Sequence, residues 1–257
     1  MAERFSQNLP PNYLLAFNGM MKLTESQVSF VASVISEQTP QEVLQLGLGS
    51  MDSTLSVCEA LDAIDNSALT LITPTVGQHS TFIREMNKRQ DGLLGELVEL
   101  IRTPADEVLP DFYFQNRSID LAIINDTGQF DQALVALYYV DKLLASKGTI
   151  ILNNADNPMI GKLCRYLVSE RGYTVQSTLG QPKQTPLAVR ILRAQFNRAP
   201  GFIQSRIERL INPELLTSGD EPGLDCSTIA LVKPVQEGEV DMDFDTLLES
   251  IMNESAH

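Results

Sequence analysis

Two apolar runs constrain this chain more than any other feature. They are IDLAIIN, from Ile119 to Asn125, and KGTIILNN, from Lys147 to Asn154, separated by the amphipathic stretch Gln132 to Leu144. Each run is too short for an ordinary helix and is apolar at successive rather than alternate positions, so each reads as a strand covered on both faces. Strand, helix, strand in that order is a parallel crossover unit, which in turn demands helices above and below the sheet. The same alternation continues elsewhere. VLQLGLG (Val43 to Gly49) reads as a strand, Ser53 to Ile64 as a helix with Leu55, Cys58, Leu61 and Ile64 inward, and ALTLITP (Ala68 to Pro74) as a strand stopped by proline. Asn157 to Glu170 reads as a helix stopped by Gly172, with a further strand at Tyr173 to Thr178. Thr24 followed by Gln27 makes a capping box for a helix carrying Val28, Val31 and Ile35, which ends before Thr39-Pro40. Ser80 to Gln90 and Leu93 to Ile101 read as helical. The expected fold is α/β, a doubly wound, Rossmann-like sheet with its ligand site at the C-terminal strand ends.

The pattern divides the chain into an N-terminal arm (1–24), a main domain (25–235) and a C-terminal tail (236–257). Within the main domain, 181–226 is an elaboration rich in Pro, Gln and Arg, with a helix near Phe202 to Leu216, and CSTIALVKP follows as a late strand. The tail carries Glu237, Glu239, Asp241, Asp243, Asp245, Glu249 and Glu254 with no Lys or Arg. Its Phe244, Leu247, Leu248 and Ile251 fall on one face of a helix, so it reads either as a solvated end or as a segment that docks on a protein partner or on the mate in a homodimer. A net charge of −14 disfavours nucleic acid and anionic membrane surfaces as partners. The arginines 190, 193, 198, 206 and 209 read as a solvated face. No apolar run approaches the roughly 20 residues of a membrane span, and the N-terminus has no apolar core of a secretory signal. The three cysteines, Cys58, Cys164 and Cys226, are too scattered for a disulfide framework or zinc spacing, which points to a reducing, cytoplasmic setting. Only two histidines occur, so a multi-histidine metal site is excluded and His79 is the one internal imidazole.

The candidate site lies in VLQLGLGSMDST, Val43 to Thr54. An apolar strand runs into Gly47 and Gly49, and Ser53 stands where a helix opens. Glycine lets the backbone approach a ligand, and a helix N-terminus offers unpaired N–H groups to an anion. The dinucleotide fingerprint nevertheless fails, because no third glycine follows and no acidic residue ends the second strand.

With these elements in this order, the chain resembles the class I S-adenosylmethionine-dependent methyltransferases. It is most similar to the small O-methyltransferases of the catechol and caffeoyl type and their bacterial relatives. The resemblance covers about residues 25–178 and the late strand near 228–234. It rests on VLQLGLGSMDST, on ALTLITP, and above all on IDLAIINDTGQFDQALVALYYVDKLLASKGTIILNNADNP. It implies a reversed C-terminal hairpin, and S-adenosylmethionine as cofactor. Gly47 and Gly49 would line the methionine end, with Gln45 at the strand position that is usually acidic, and Ser53 would hold the carboxylate. Thr73 would stand where a carboxylate usually takes the ribose, and Asn125 where metal-dependent members have an aspartate. After the fifth strand Asn154-Ala155 replaces an Asp-Asn pair, and Met51 occupies the place of a third glycine.

Amides bind hard cations poorly without carboxylate help, so no metal is expected. His79 and Asp126 are candidates for removing a proton from a substrate, and each reads equally as an ordinary loop residue. Asp131 suits the first turn of a helix, and Tyr138 and Tyr139 read as packing residues. The resemblance implies a metal-independent methyltransferase acting on the hydroxyl or carboxyl of a small molecule. The departures imply a second reading, a non-catalytic relative that binds the cofactor weakly or not at all and serves as a binding or partner protein.

Overall fold

A computed structural model describes residues 23–73, 82–84, 97–125, 130–180 and 226–235. They form a seven-stranded sheet in the order β3-β2-β1-β4-β5-β7-β6. The strands are β1 (Glu42–Leu46), β2 (Ala68–Ile72), β3 (Val98–Ile101), β4 (Ile119–Ile124), β5 (Leu144–Asn153), β6 (Thr174–Leu179) and β7 (Thr228–Val232). β3, β2, β1, β4 and β5 run parallel, whereas β7 pairs antiparallel with both β5 and β6. The reversed hairpin implied by the resemblance is therefore present. The helices are α1 (Glu25–Gln38), α2 (Met51–Asp62), α3 (Ala105–Phe114), α4 (Phe130–Leu143) and α5 (Pro158–Ser169).

Strand periodicity sorts the core onto two faces. Leu44, Leu46, Ala122, Ile124, Ile150 and Leu152 pack with buried residues of α3, α4 and α5, such as Leu109, Leu137 and Leu163. The alternate residues Val43, Leu69, Leu71, Leu121, Ile123 and Ile151 pack with Val31, Val34 and Ile35 of α1 and with Leu55, Cys58 and Leu61 of α2. Each strand of the centre is thus apolar in both directions, which is why IDLAIIN and TIILN show no alternation. All three cysteines are buried and unpaired. Burial pushes the Cys58 and Cys164 thiols up to about 12, so both stay neutral and unreactive near pH 7.

The helix expected over Leu93 to Ile101 is not what forms at its described end. Val98–Ile101 is a strand, paired in parallel with Leu69–Ile72. A four-residue apolar run has no decisive period of its own, and the open edge of β2 settles its conformation. No expectation above covers α3, although Ala105, Val108, Leu109 and Phe112 share one helical face. Only Leu109 and Phe112 of it are buried, and Pro110 inside the helix removes an intrahelical donor, so tertiary packing sustains it. The segments 74–81, 85–96, 126–129, 181–225 and 236–257, with the arm before Leu23, lie outside the described residues. The expected helices at 80–90 and 202–216 fall largely or wholly there, and so does the tail.

A buried charged cluster pins the far end of the sheet. Asp141 of α4 accepts hydrogen bonds from the Tyr173 hydroxyl at 2.5 Å and from Arg171 at 2.9 Å. Lys233 donates to the carbonyls of Asp141 and Leu144 at 2.5 and 2.9 Å. Together these bonds tie the end of β7 to α4, to the start of β5 and to the turn after α5. Burial lowers the Lys233 ammonium below its usual range and, with Asp141 beside it, raises the Tyr173 phenol.

Candidate functional site

From β1 the chain winds first towards β2 and β3, then returns to add β4 on the other side. The C-terminal ends of β1 and β4 therefore flank the switch point, where an open α/β sheet leaves a crevice. Gly47 and Gly49 lie in this crevice with φ of 79° and 63°, left-handed values that glycine adopts without strain. The ladder continues into the turn, with Gly47 N–H donating to Ile72 O and Asn125 N–H to Leu46 O, each at 2.9 Å. Gly49 makes a close approach: a Cβ there would stand 3.1 Å from Asn125 Nδ2 and 3.2 Å from Ser53 Oγ.

α2 begins two residues before the expected Ser53. Ser50 is its N-cap, and the Ser53 hydroxyl closes a capping box, accepting from Ser50 N–H at 3.0 Å and donating to Ser50 O at 2.8 Å. Ser50 and Ser53 are both polar candidates in one short run. The choice falls on Ser50 because it alone takes an extended backbone while Met51 already starts the helix. The Ser53 hydroxyl is thus used within the cap. Asp52 adds negative charge to the first turn, which works against an anionic ligand there. Met51 is half-buried against the α1–α2 core.

Gln45 is fully buried on the α1–α2 face of the sheet. Its amide nitrogen donates to Gly47 O at 3.0 Å and to Thr54 Oγ1 at 2.8 Å, and Thr54 passes a hydrogen bond to Leu48 O at 2.7 Å. The other end of the amide, Oε1, has no partner among the described residues. Gln45 lines a small cavity with Leu23, Val28, Val31, Ser53, Val57, Ile123 and Asn125. Its volume of about 10 Å³ is about the room one water needs. Thr73 follows β2 and is buried, its N–H bonded to Ile101 O at 3.0 Å. No carboxylate ends β2 among Leu71, Ile72 and Thr73.

Asn125 sits at the end of β4 with both halves of its amide engaged. Nδ2 donates to Gly47 O at 3.0 Å, and Oδ1 accepts from Asn153 Nδ2 at 2.7 Å. The residue that meets Asn125 across the strands is therefore Asn153, rather than Asn154. Asn154 has left the strand with φ 61° and donates only a long bond, 3.5 Å, to Asn125 O. No group of three or more potential metal-ligating side chains converges among the described residues.

His79 and Asp126 lie outside the described residues. Asp131 is exposed at the start of α4 and accepts from Gln132 N–H at 3.0 Å, a helix-opening role. Tyr138 and Tyr139 are partly buried against the core, in edge-on contact 5.1 Å apart.

S-adenosylmethionine, the cofactor implied by the resemblance, meets this chemistry only in part. The orphaned Gln45 oxygen is a buried acceptor that suits an ammonium group, and the Gly47–Gly49 cradle has room for backbone approach but not for a side chain. At the ribose end β2 supplies no carboxylate, and Thr73 is the polar residue that follows it. The fit is thus at the amino-acid end, through neutral groups.

No family model matches the sequence, and no curated protein does. Solved structures do match. A protein of Staphylococcus aureus assigned as a caffeoyl-CoA O-methyltransferase aligns with 66% of this chain and 87% of its own, at 14% identity and a TM-score of 0.51. A Bacillus cereus O-methyltransferase in complex with SAH aligns over 68% and 88%, at 14% identity and TM-score 0.49. The SAM-bound O-methyltransferase TomG of Streptomyces achromogenes aligns at 13% identity and TM-score 0.46. In that case the match spans 58% of this chain and only 61% of TomG. The chain shares the α/β, Rossmann-like fold of the Staphylococcus aureus protein. No helix of the described residues is long and apolar enough to cross a membrane.

Proposed function

We propose that this chain is an S-adenosylmethionine-dependent methyltransferase that works without a metal on a hydroxyl or carboxyl of a small molecule. The single observation that carries this reading is the Gly47–Gly49 turn at the switch point, beside a cavity lined by Gln45, whose buried Oε1 has no partner among the described residues. When bound, the cofactor supplies an electrophilic methyl sulfonium. The chain's own residues then have limited, definable tasks. Gln45 Oε1 would accept from the ammonium group, and the turn would pack its backbone against the methionine portion. The first turn of α2 would lie toward the carboxylate, with Asp52 opposing it, and Thr73 would stand nearest the ribose. Asn125, held at both ends, keeps the turn open for this contact. Transfer by alignment of a nucleophile with the methyl group asks little covalent help of the protein. His79 and Asp126 are the residues we assign to proton removal from the substrate.

A second reading is favoured by one specific observation. The cavity beside Gln45 and Asn125 has room for about one water, and the amides that border it are tied to the turn itself. On that reading the protein keeps the fold as a binding or partner subunit. Calorimetric titration with S-adenosylmethionine and S-adenosylhomocysteine, with and without Mg²⁺, separates the two. Micromolar, metal-independent binding supports the enzyme. No heat and no thermal shift at millimolar ligand refutes it and leaves the partner reading standing.

A further inference from the structure

We infer that Gln27, Thr228, Asn153 and Asn125 form one positioning relay, which fixes the Gly47 turn from the start of α1. The inference rests on the reading of that turn as the ligand site. Its basis is an unbroken run of hydrogen bonds across four elements, buried in its middle and partly buried at its two ends. Thr24 N–H donates to Gln27 Oε1 at 2.9 Å, and Gln27 Nε2 donates to Thr228 Oγ1 at 3.0 Å. The Thr228 hydroxyl donates to Asn153 Oδ1 at 2.7 Å, Asn153 Nδ2 to Asn125 Oδ1 at 2.7 Å, and Asn125 Nδ2 to Gly47 O at 3.0 Å. The relay thus passes from α1 through β7, β5 and β4 to the turn after β1. None of its four side chains is more than 7% exposed.

Both ends of the run are backbone groups of fixed polarity, a donor at Thr24 and an acceptor at Gly47. Turning Gln27 over would set donor against donor at Thr24, and turning Asn153 over would set acceptor against acceptor at Asn125. Asn125, turned over, would meet a like group on both sides, at Asn153 and at Gly47 O, and bonds in such a row polarise one another. The relay also registers α1 as a wall of the site, since Leu23, Val28 and Val31 line the same cavity as Gln45, Ser53 and Asn125. Gln27, Asn153 and Thr228 act through Asn125, so they are positioning residues.

The test uses the full chain and the variants Thr228→Val and Thr228→Ser. Valine keeps the shape and removes the hydroxyl that both accepts and donates, whereas serine keeps the hydroxyl. Hydrogen exchange of the Asn125 side-chain amide and of Gly47 N–H, followed by NMR without ligand, is the first readout. The dissociation constant for S-adenosylhomocysteine is the second. Thr228→Val is expected to speed exchange at Asn125 and weaken binding, each by about tenfold, with Thr228→Ser within about twofold of the parent. Unchanged exchange at Asn125 in Thr228→Val overturns the relay. Faster exchange with unaltered affinity overturns its positioning role. Should Thr228→Val fail to fold, the parent protein decides alone. Side-chain amides of Asn125 and Asn153 that exchange as fast as that of exposed Asn116 refute the relay, and marked protection supports it. If the parent does not bind S-adenosylhomocysteine, the proposed function fails, and the exchange readout still judges the relay separately.

Discussion

Replacement of Gly49 by alanine tests the architecture of the turn, and its cost can be worked from two local terms. The backbone there has φ 63°, and a left-handed residue with a Cβ costs about 1–2 kcal/mol. The added carbon would also lie 3.1 Å from Asn125 Nδ2 and 3.2 Å from its Cγ. The amide cannot give way without loosening its bond to Gly47 O or the one from Asn153. Breaking a buried hydrogen bond and leaving its partner unsatisfied costs about 1–3 kcal/mol. Gly172→Ala supplies the control. Gly172 has φ 70°, but its Cβ would meet nothing closer than Pro234 Cγ at 3.7 Å, so only the backbone term applies. Urea denaturation of both variants, with matched slopes, gives the two losses. Gly49→Ala should lose about 1–3 kcal/mol more than Gly172→Ala. A difference below about 0.5 kcal/mol would show that Asn125 is not held against the turn, and the account of the site given above would fall with it.

Thr73→Asp should raise affinity for S-adenosylhomocysteine by about tenfold, since a carboxylate at the end of β2 accepts from ribose hydroxyls through charge-assisted bonds. Calorimetry that finds no gain would place the ribose elsewhere. Tyr173→Phe removes the hydroxyl bonded to the buried Asp141 carboxylate and should cost about 1.5–3 kcal/mol in urea denaturation; a loss under about 0.5 kcal/mol would contradict the pinning role of that cluster. The thiols of Cys58 and Cys164 titrate near 9.0 when unfolded and at about 12 when folded. Above pH 9 the unfolded chain therefore holds fewer protons than the folded one. The stability these thiols contribute is complete below that pH and is lost as pH rises towards the folded value, at about 1.4 kcal/mol per thiol per pH unit. Stability measured at pH 9 and 11 should fall less steeply in the Cys58→Ala, Cys164→Ala double variant; equal slopes would contradict the burial assigned to them. Removal of divalent cations with a chelator should leave ligand affinity within about twofold, because Asn125 and Asn153 spend their amides on each other; a larger loss, read by calorimetry, would reveal a metal ligand.

What the sequence made legible is what local physics decides. The Thr24–Gln27 capping box is written within four residues and forms as read. The central strands announce themselves because burial on both faces makes nearly every position apolar, with Gln45 and Thr149 as the buried polar exceptions within them. Gly172 ends α5 as expected, in a left-handed turn. β3 was misread because VELI has no period long enough to tell strand from helix, and its partner β2 lies almost thirty residues earlier. α3 presents an apolar face of Ala105, Val108, Leu109 and Phe112, and Pro110 within it breaks the helical reading. Gln27 and Thr228 stand 201 positions apart, so their bond leaves no trace in any window of sequence. Asn153 did carry a signal, as a polar residue closing an otherwise apolar strand. Of the two neighbouring asparagines, the structure turns Asn153 to Asn125, whereas Asn154 leaves the strand in a left-handed turn.

That one-residue difference changes what Asn125 means. Against the pattern of metal-dependent relatives it looks like a lost ligand, an aspartate that has given up its charge. A carboxylate, however, only accepts hydrogen bonds unless it is protonated, whereas Gly47 O, at 3.0 Å, requires a donor. The oxygen of the same side chain meets the donor Asn153 at 2.7 Å. Only an amide satisfies both neighbours at once. The same holds for Asn153, which accepts from Thr228 and donates to Asn125, and for Gln27, which accepts from Thr24 and donates to Thr228. Three carboxamides alternating in this way are mutually consistent, and a single carboxylate among them would break the row at a buried point, where an unpaired group is costly. The amides at the strand ends are therefore suited to one another, and together they seat the glycine turn.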